Sequence, residues 1–268
     1  MRGNVLNPMT PANAKLAEMT VDVVIPVLNE AHVLARSVAT ARAFLAEHLQ
    51  ARWRVVIVDN GSSDGTSDVA QRLEKEHPDV AYMRLDLRGR GRALRHAWTE
   101  SPADVVGYMD VDLSTELAAV PRAVKALAED GYDIAIGSRL MRGSQTRRKF
   151  KREFISQCYN LFVKAVLFTR FSDAQCGFKF VTREVVDRIV PQVKDQSWFF
   201  DTEMLVLAEK QGYRIKDLPV IWLEDDDSRV KIIRTAWDDI QGVLRLRRLL
   251  WSRQFAEAAS LNGKKVTP

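Results

Sequence analysis

From Val21 onward, short apolar runs alternate with longer stretches in which apolar residues recur every three or four positions. The run Val21-Asp22-Val23-Val24-Ile25-Pro26-Val27 is rich in β-branched residues and stops at the turn-prone pair Asn29-Glu30. That pattern predicts a strand followed by a helix over 31–50. A second strand is expected over 53–58, ending in Asp59-Asn60-Gly61-Ser62-Ser63-Asp64-Gly65. There Asp64 or Thr66 is placed to cap a helix reaching Glu76. Residues 80–85 read as a third strand, Gly89-Arg90-Gly91 opens a helix to Trp98, and Val105-Val106-Gly107-Tyr108-Met109 forms a fourth strand. This alternation predicts an α/β fold with a mostly parallel sheet covered by helices on both faces. Such sheets bind ligands beyond the carboxyl ends of their strands. Asn29-Glu30, Asp59-Asn60-Gly61, Gly89-Arg90-Gly91 and Asp110-Val111-Asp112 each follow a strand, so the fold gathers them along one edge.

The second half changes character. Residues 135–139 look like another strand end, and Arg142, Arg147, Arg148, Lys149, Lys151 and Arg152 follow with no acid among them. A helix over 153–169 is apolar nearly all round, a strand is expected over 175–181 and a helix over 201–212. The last strand spans 213–223, and a basic, apolar tail begins at 229. The expected organisation is a loose leader (1–20), one catalytic unit (21–235, with its two halves meeting near 115) and a basic amphipathic tail (236–268).

Asp110 and Asp112 are the sharpest chemical signal. Residues i and i+2 of a strand point to the same side, so this spacing aims two carboxylates at one point as an apolar strand leaves the core. Two anions held together persist best around a cation or a shared proton. Hard oxygen ligands suit Mg²⁺ or Mn²⁺, ions that commonly accompany phosphate-bearing substrates. Asp59 can accept hydrogen bonds from a base or ribose, or simply start a turn. Gly89-Arg90-Gly91 lets backbone approach phosphate oxygens, with Arg90 adding charge. Neither a full dinucleotide fingerprint nor a P-loop is present.

Composition narrows the partners. A net charge of +5 suits anions: nucleotide phosphates, an anionic membrane surface or nucleic acid. Cys158 and Cys176 are too few for a disulfide framework and sit in apolar surroundings, which fits reduced packing residues in a cytosolic compartment. No stretch has the apolar length of a spanning helix. The helix over 153–169 suits a membrane interface, or alternatively the core or a homo-oligomer contact.

The ordered set Val24-Ile25-Pro26-Val27-Leu28-Asn29-Glu30, Val58-Asp59-Asn60-Gly61-Ser62-Ser63-Asp64-Gly65-Thr66 and Asp110-Val111-Asp112 resembles the family 2 inverting glycosyltransferases of GT-A fold. Gly137-Ser138-Arg139, Asp173-Ala174-Gln175-Cys176-Gly177-Phe178-Lys179 and Trp198-Phe199-Phe200-Asp201-Thr202-Glu203 resemble the polyprenyl- (dolichyl-) phosphate sugar synthases, especially the glucose-transferring branch. The resemblance covers about 21–235. It implies a nucleotide-sugar pocket of Pro26, Val27, Asn29, Glu30, Asp59, Asn60, Arg90, Asp110, Val111 and Asp112, with Asp110 and Asp112 holding Mg²⁺ or Mn²⁺. It implies an acceptor-phosphate site of Arg139, Arg152 and Ser156, the latter two on one helix face by their i, i+4 spacing. It implies a sugar and acceptor pocket of Gln175, Gly177, Lys179, Trp198, Asp201 and Glu203, with Asp110, Asp112, Arg139 and Asp201 as the catalytic set. Arg90 stands where many relatives carry Lys, and Ser114 where mannose-transferring relatives often carry Gln.

The expected activity is transfer of a hexose from a nucleotide sugar, UDP-glucose first, to polyprenyl phosphate with inversion. The expected setting is peripheral, on the cytoplasmic face of an anionic membrane, with no transmembrane span and no nucleic acid partner. A GDP-mannose donor, a hydroxyl acceptor and a non-catalytic anion- or membrane-binding module are the alternatives.

Overall fold

The computed structural model describes residues 16–147, 150–223 and 232–252, without side chains at 147, 150–154 and 232–236. The first half follows the sequence pattern closely: β1 (Thr20–Val27), α1 (Ala31–His48), β2 (Arg52–Asp59), α2 (Thr66–Glu76), β3 (Val80–Arg84), α3 (Arg90–Glu100) and β4 (Val105–Met109). The second half comprises α4 (Ala119–Ala128), β5 (Ile134–Ser138), β6 (Gln145–Arg147), α5 (Phe150–Leu167), β7 (Phe178–Thr182), α6 (Arg183–Arg188), α7 (Phe200–Lys210), β8 (Ile215–Pro219), β9 (Ile221–Leu223) and α8 (Ile232–Leu250).

Seven strands form one sheet in the order β3-β2-β1-β4-β7-β5-β8. All its pairings are parallel except those of β7, which runs antiparallel to β4 and to β5. Both faces are covered, so β1, β4 and β5 are almost continuously apolar. One core packs α1, α2 and α4 on one face; the other packs α3, α5, α6, α7 and α8 on the opposite face. α7 is buried from Phe200 to Ala208 and is accordingly apolar on nearly every side. Asp22, buried in β1, is held by Arg54 at 2.6 Å and by the Ser101 hydroxyl at 2.6 Å. A buried carboxylate needs such partners.

The reversal of β7 positions the site. Met109 pairs with Phe178, so the amino end of β7 lies at the carboxyl end of β4. The turn of residues 173–177 is thereby delivered beside Asp110.

Several boundaries differ from expectation. The strand expected over 175–181 begins only at Phe178. The strand expected over 213–223 is two strands in different sheets: β8 ends at Pro219, which lacks a ladder donor, and β9 pairs with β6 in a two-stranded sheet. The tail boundary expected at 235 falls inside α8, which packs on α5 and α7. The leader through residue 15, and 253–268, lie outside the described residues.

Candidate active site

The strand ends are tied into one rim. Asn29, at φ 58° in the left-handed region, donates its backbone N–H to the Ser62 hydroxyl at 2.9 Å and accepts from the Ser63 N–H at 2.8 Å. Glu30 N–H donates to the Thr66 hydroxyl at 2.8 Å. Asn60 Oδ1 accepts from the Gly89 N–H at 2.9 Å, which joins the loop after β2 to the start of α3. Pro26, half-buried, and Val27, buried, line the end of β1.

Asp59 is fully buried and accepts from the Ser62 N–H (2.8 Å), the Ser67 hydroxyl (2.5 Å) and Arg84 (3.2 Å). Burial pushes its carboxyl up, but those hydrogen bonds and the Arg84 charge outweigh it and hold it below the ordinary carboxylate value. Ser62, Ser67 and Arg84 were not singled out from the sequence. The serines belong to a small polar run that reads as loop, and Arg84 reaches Asp59 from a neighbouring strand.

At the end of β4, Asp110 exposes one-third of its side chain and Asp112 is exposed. Leu113, at φ 53°, turns the chain so that its N–H meets the Asp110 carbonyl at 3.1 Å, while the Ser114 N–H donates to Asp112 Oδ1 at 2.9 Å. Arg90 donates to Asp110 Oδ1 at 2.7 Å, and its guanidinium lies between the Tyr108 and Trp198 rings at 5.0 and 4.9 Å. Gly177 presses on the same carboxylate from the other side: a Cβ there would stand 1.8 Å from Asp110 Oδ2. Burial raises the Asp110 carboxyl, Arg90 opposes this, and the charges of Asp112 and Asp201 add to the rise.

Asp201, in the first turn of α7, is buried against the same group of residues. It accepts from the Tyr108 hydroxyl at 2.7 Å and lies 3.6 Å from the Lys179 ammonium. Lys179 is wholly buried and donates to the Cys176 carbonyl at 2.7 Å. Burial, reinforced by Asp201, keeps the Tyr108 phenol protonated well above its ordinary range.

Arg139, buried at the end of β5, is clamped by Asp173 through Nε at 2.7 Å and Nη2 at 2.9 Å. Burial raises the Asp173 carboxyl, yet the Arg139 charge and hydrogen bonds overcome it and bring it to about 2. Ser156 is buried with no side-chain hydrogen-bond partner among the described residues; the Arg152 side chain lies outside them. Gln175 donates to Asp239 of α8 at 2.8 Å.

Glu203 does not join this group. Its carboxylate is wholly buried, forked onto Arg245 of α8 at 2.6 and 2.7 Å, and accepts from the Asp195 N–H at 2.9 Å. Asp201 and Glu203 are two residues apart, about 200° around α7, so they leave the helix on different faces, and the Trp-Phe-Phe-Asp-Thr-Glu pattern alone does not say which of them meets the site.

The pair Asp110 and Asp112 offers two oxygen donors at one strand end, and the adjacent Ser114 hydroxyl is buried without a partner among the described residues. No cluster of three His, Cys, Asp or Glu side chains able to hold a metal occurs among the described residues. An all-oxygen, two-carboxylate set fits Mg²⁺ or Mn²⁺ that completes its shell with substrate phosphate and water.

Residues 22–190 match the family described as Glycosyl transferase family 2. The chain belongs to this family. Among its relatives is Glycosyltransferase AglD of Haloferax volcanii, 35% identical over 226 residues, a match covering 84% of this chain and 36% of AglD. The chain thus spans about a third of that relative's length. The dolichyl-phosphate beta-glucosyltransferase of Saccharomyces cerevisiae is 29% identical, with 80% of this chain and 70% of that protein covered. Among solved structures, glucosyl-3-phosphoglycerate synthase from Mycobacterium tuberculosis in complex with UDP superposes with TM-score 0.69 at 17% identity, covering 92% of this chain and 86% of that one. The same enzyme with Mg²⁺ and UDP gives TM-score 0.66 at 17% identity, covering 88% and 82%. The fold of this family 2 glycosyltransferase is therefore GT-A, and GT-A neighbours hold a divalent cation with UDP.

Proposed function

We propose that the enzyme transfers glucose from UDP-glucose to polyprenyl phosphate with inversion at the anomeric carbon. The observation that carries this reading is the convergence of two sites on one edge of the sheet. Asp110 and Asp112 at the end of β4, with Arg90 on Asp110 at 2.7 Å, would anchor a nucleotide diphosphate. The buried Arg139, held in place by Asp173, would anchor a second phosphate. The names of the dolichyl-phosphate beta-glucosyltransferase relatives favour glucose and a lipid phosphate.

The chemistry is then mainly one of positioning. A phosphate monoester has its second pKa near ~6, so the acceptor is already mostly dianionic at neutral pH and needs no base. Asp201 has Oδ2 bound by the Tyr108 hydroxyl and the Lys179 ammonium 3.6 Å from Oδ1, which has no hydrogen-bond partner among the described residues; in this scheme it is not required as a base. Arg139 and Arg152 would orient the acceptor phosphate for in-line attack, while Arg90 would offset charge on the departing diphosphate. Asp110 and Asp112 would hold Mg²⁺ or Mn²⁺, which supplies electrostatic stabilisation to that diphosphate.

The setting is a membrane surface. None of the helices searched is long and apolar enough to cross a bilayer. α5 and α8 pack together and, with the residue that follows each, leave Leu161, Phe168, Trp237, Leu244 and Trp251 exposed, apolar side chains suited to lying in the interface on the cytoplasmic face. Exposed Cys158 lies on the same helix, α5.

Radiolabelled UDP-glucose and GDP-mannose, each with polyprenyl phosphate and Mg²⁺ or Mn²⁺, test the reading. Labelled lipid from UDP-glucose is expected. Label from GDP-mannose alone transfers the proposal to mannose, and no lipid product from either donor overturns it.

A further inference from the structure

The turn of residues 173–177 touches Arg139, Lys179 and Asp110. Asp173 clamps Arg139, the Ala174 N–H is held by Asn160 of α5 at 2.8 Å, and the Cys176 carbonyl accepts from Lys179 at 2.7 Å. Gly177 lies flush against Asp110. Gln175 points the other way, to α8, where its amide donates to Asp239 Oδ2. Asp239 is 3% exposed, and its Oδ1 has no hydrogen-bond partner among the described residues. Beside this contact an open cleft of about 590 Å³ is lined by Asp239 and its neighbours on α8 and by Asp195, Ser197 and Trp198, while Gly242 of α8 packs directly on the Phe199 ring.

An ionisable acid is an expensive choice for such a position. Burial pushes the Asp239 carboxyl up to about 7; the Gln175 amide opposes this and the charges of Asp195 and Asp238 add to it. Across from it, on α5, the Tyr159 phenol is held protonated by burial and by the Asp239 charge. The nearby cation Arg245 is committed to Glu203. A side chain present only for packing is better served by an apolar residue.

Resting on the function proposed above, we infer that Asp239 is a positioning residue for glycosyl transfer, setting the 173–177 turn through Gln175 so that Arg139 and Asp110 stand in register. The ionised carboxylate is the better acceptor for the Gln175 amide. Wild-type kcat, divided by that of Asp239→Asn, therefore declines as pH falls through about 7, a ratio that cancels the acceptor's own titration. Asn keeps an acceptor oxygen at every pH, whereas Ala keeps none.

The test measures kcat and KM for UDP-glucose with polyprenyl phosphate in Asp239→Ala, Asp239→Asn, Gln175→Ala and the double Ala variant. Support consists of a loss of about tenfold or more in kcat for Asp239→Ala with donor KM within about twofold, near-wild-type kcat for Asp239→Asn at neutral pH, and a double variant no worse than the singles. Unchanged kcat in Asp239→Ala, equal damage in Asp239→Asn, or additive losses overturn the proposal. Hydrogen exchange reads the same contact without any donor or acceptor. Faster exchange across 174–177 in Asp239→Ala than in wild type is expected, and unchanged exchange overturns the proposal even where the choice of sugar or acceptor proves different.

Discussion

Replacing Gly177 by alanine exchanges one hydrogen for a methyl group, and the structure concentrates its effect on a single group. The new Cβ would lie 1.8 Å from Asp110 Oδ2, whereas real Cβ contacts essentially never fall under 3.0 Å. A separation of about 1.2 Å must be found somewhere. β7 cannot supply it, because its ladders to β4 and β5 hold it on both sides. Asp110 must therefore rotate, which breaks its 2.7 Å bond to Arg90. Gly177 has no positive φ, so the backbone accepts alanine without strain of its own. A misplacement of about 1 Å in a positioned catalytic group typically costs about 10²-fold, or roughly 2.7 kcal/mol of transition-state stabilisation. The expected result for Gly177→Ala is thus a kcat lower by about two orders of magnitude in the lipid-phosphate glucosylation assay, with a melting temperature close to wild type. A kcat within about threefold of wild type in a folded variant refutes the argument that Asp110 orientation is set by this contact.

Further expectations follow from the same geometry. Asp239 carries a folded-state value near 7 against an ordinary 3.8, so the folded state binds its proton more tightly and stability drains away as pH rises from about 4 to 7. Asp239→Asn should match wild type in urea unfolding near pH 4 and exceed it by about 2–4 kcal/mol at pH 8; a gap that grows toward low pH would contradict this. Glu203→Gln weakens a buried fork onto half-exposed Arg245 and should cost about 1–3 kcal/mol in unfolding free energy while leaving donor KM within about twofold, which separates a helix tie from a sugar contact. Asp112→Asn should raise the Mg²⁺ or Mn²⁺ concentration for half-maximal rate by about tenfold or more; an unchanged metal titration removes Asp112 from the metal site.

How much was legible in the sequence depended on whether the signal was local. β1, β2 and β4 carry short apolar runs ended by Asn, Asp and Gly, so their ends and the acids on them could be read directly. The partners of those acids could not. Arg84 reaches Asp59 from the next strand, Asp173 reaches Arg139 across 34 residues, and Asp239 reaches Gln175 across 64. Such pairs are set by the order of strands in the sheet, and the reversal of β7 has no signature in the alternation of elements. α4 carries a regular apolar face, Val120, Ala123, Val124 and Leu127, with Pro121 in its first turn where proline is tolerated, so its signal is local and legible although no expectation was placed there. Glu203 and Asp201 stand two positions apart, so helix phase already puts them on different faces; what the sequence does not carry is which face meets the pocket.

The reversed strand also dictates a sequence of events during synthesis. β3, β2, β1 and β4 can pair as soon as residue 109 has emerged, and they leave the far edge of β4, Val-Val-Gly-Tyr-Met, without a neighbour. That edge is closed only when residues 178–182 arrive, about 70 positions later, and long-range closure of this kind is slow. Until then the nascent chain presents a bare apolar strand to anything able to add to it. A polypeptide ending before Phe178 should therefore aggregate through β4, and one that extends past Thr182 should not. Asp110 thus gains its neighbouring turn in the same event that closes the sheet's exposed edge.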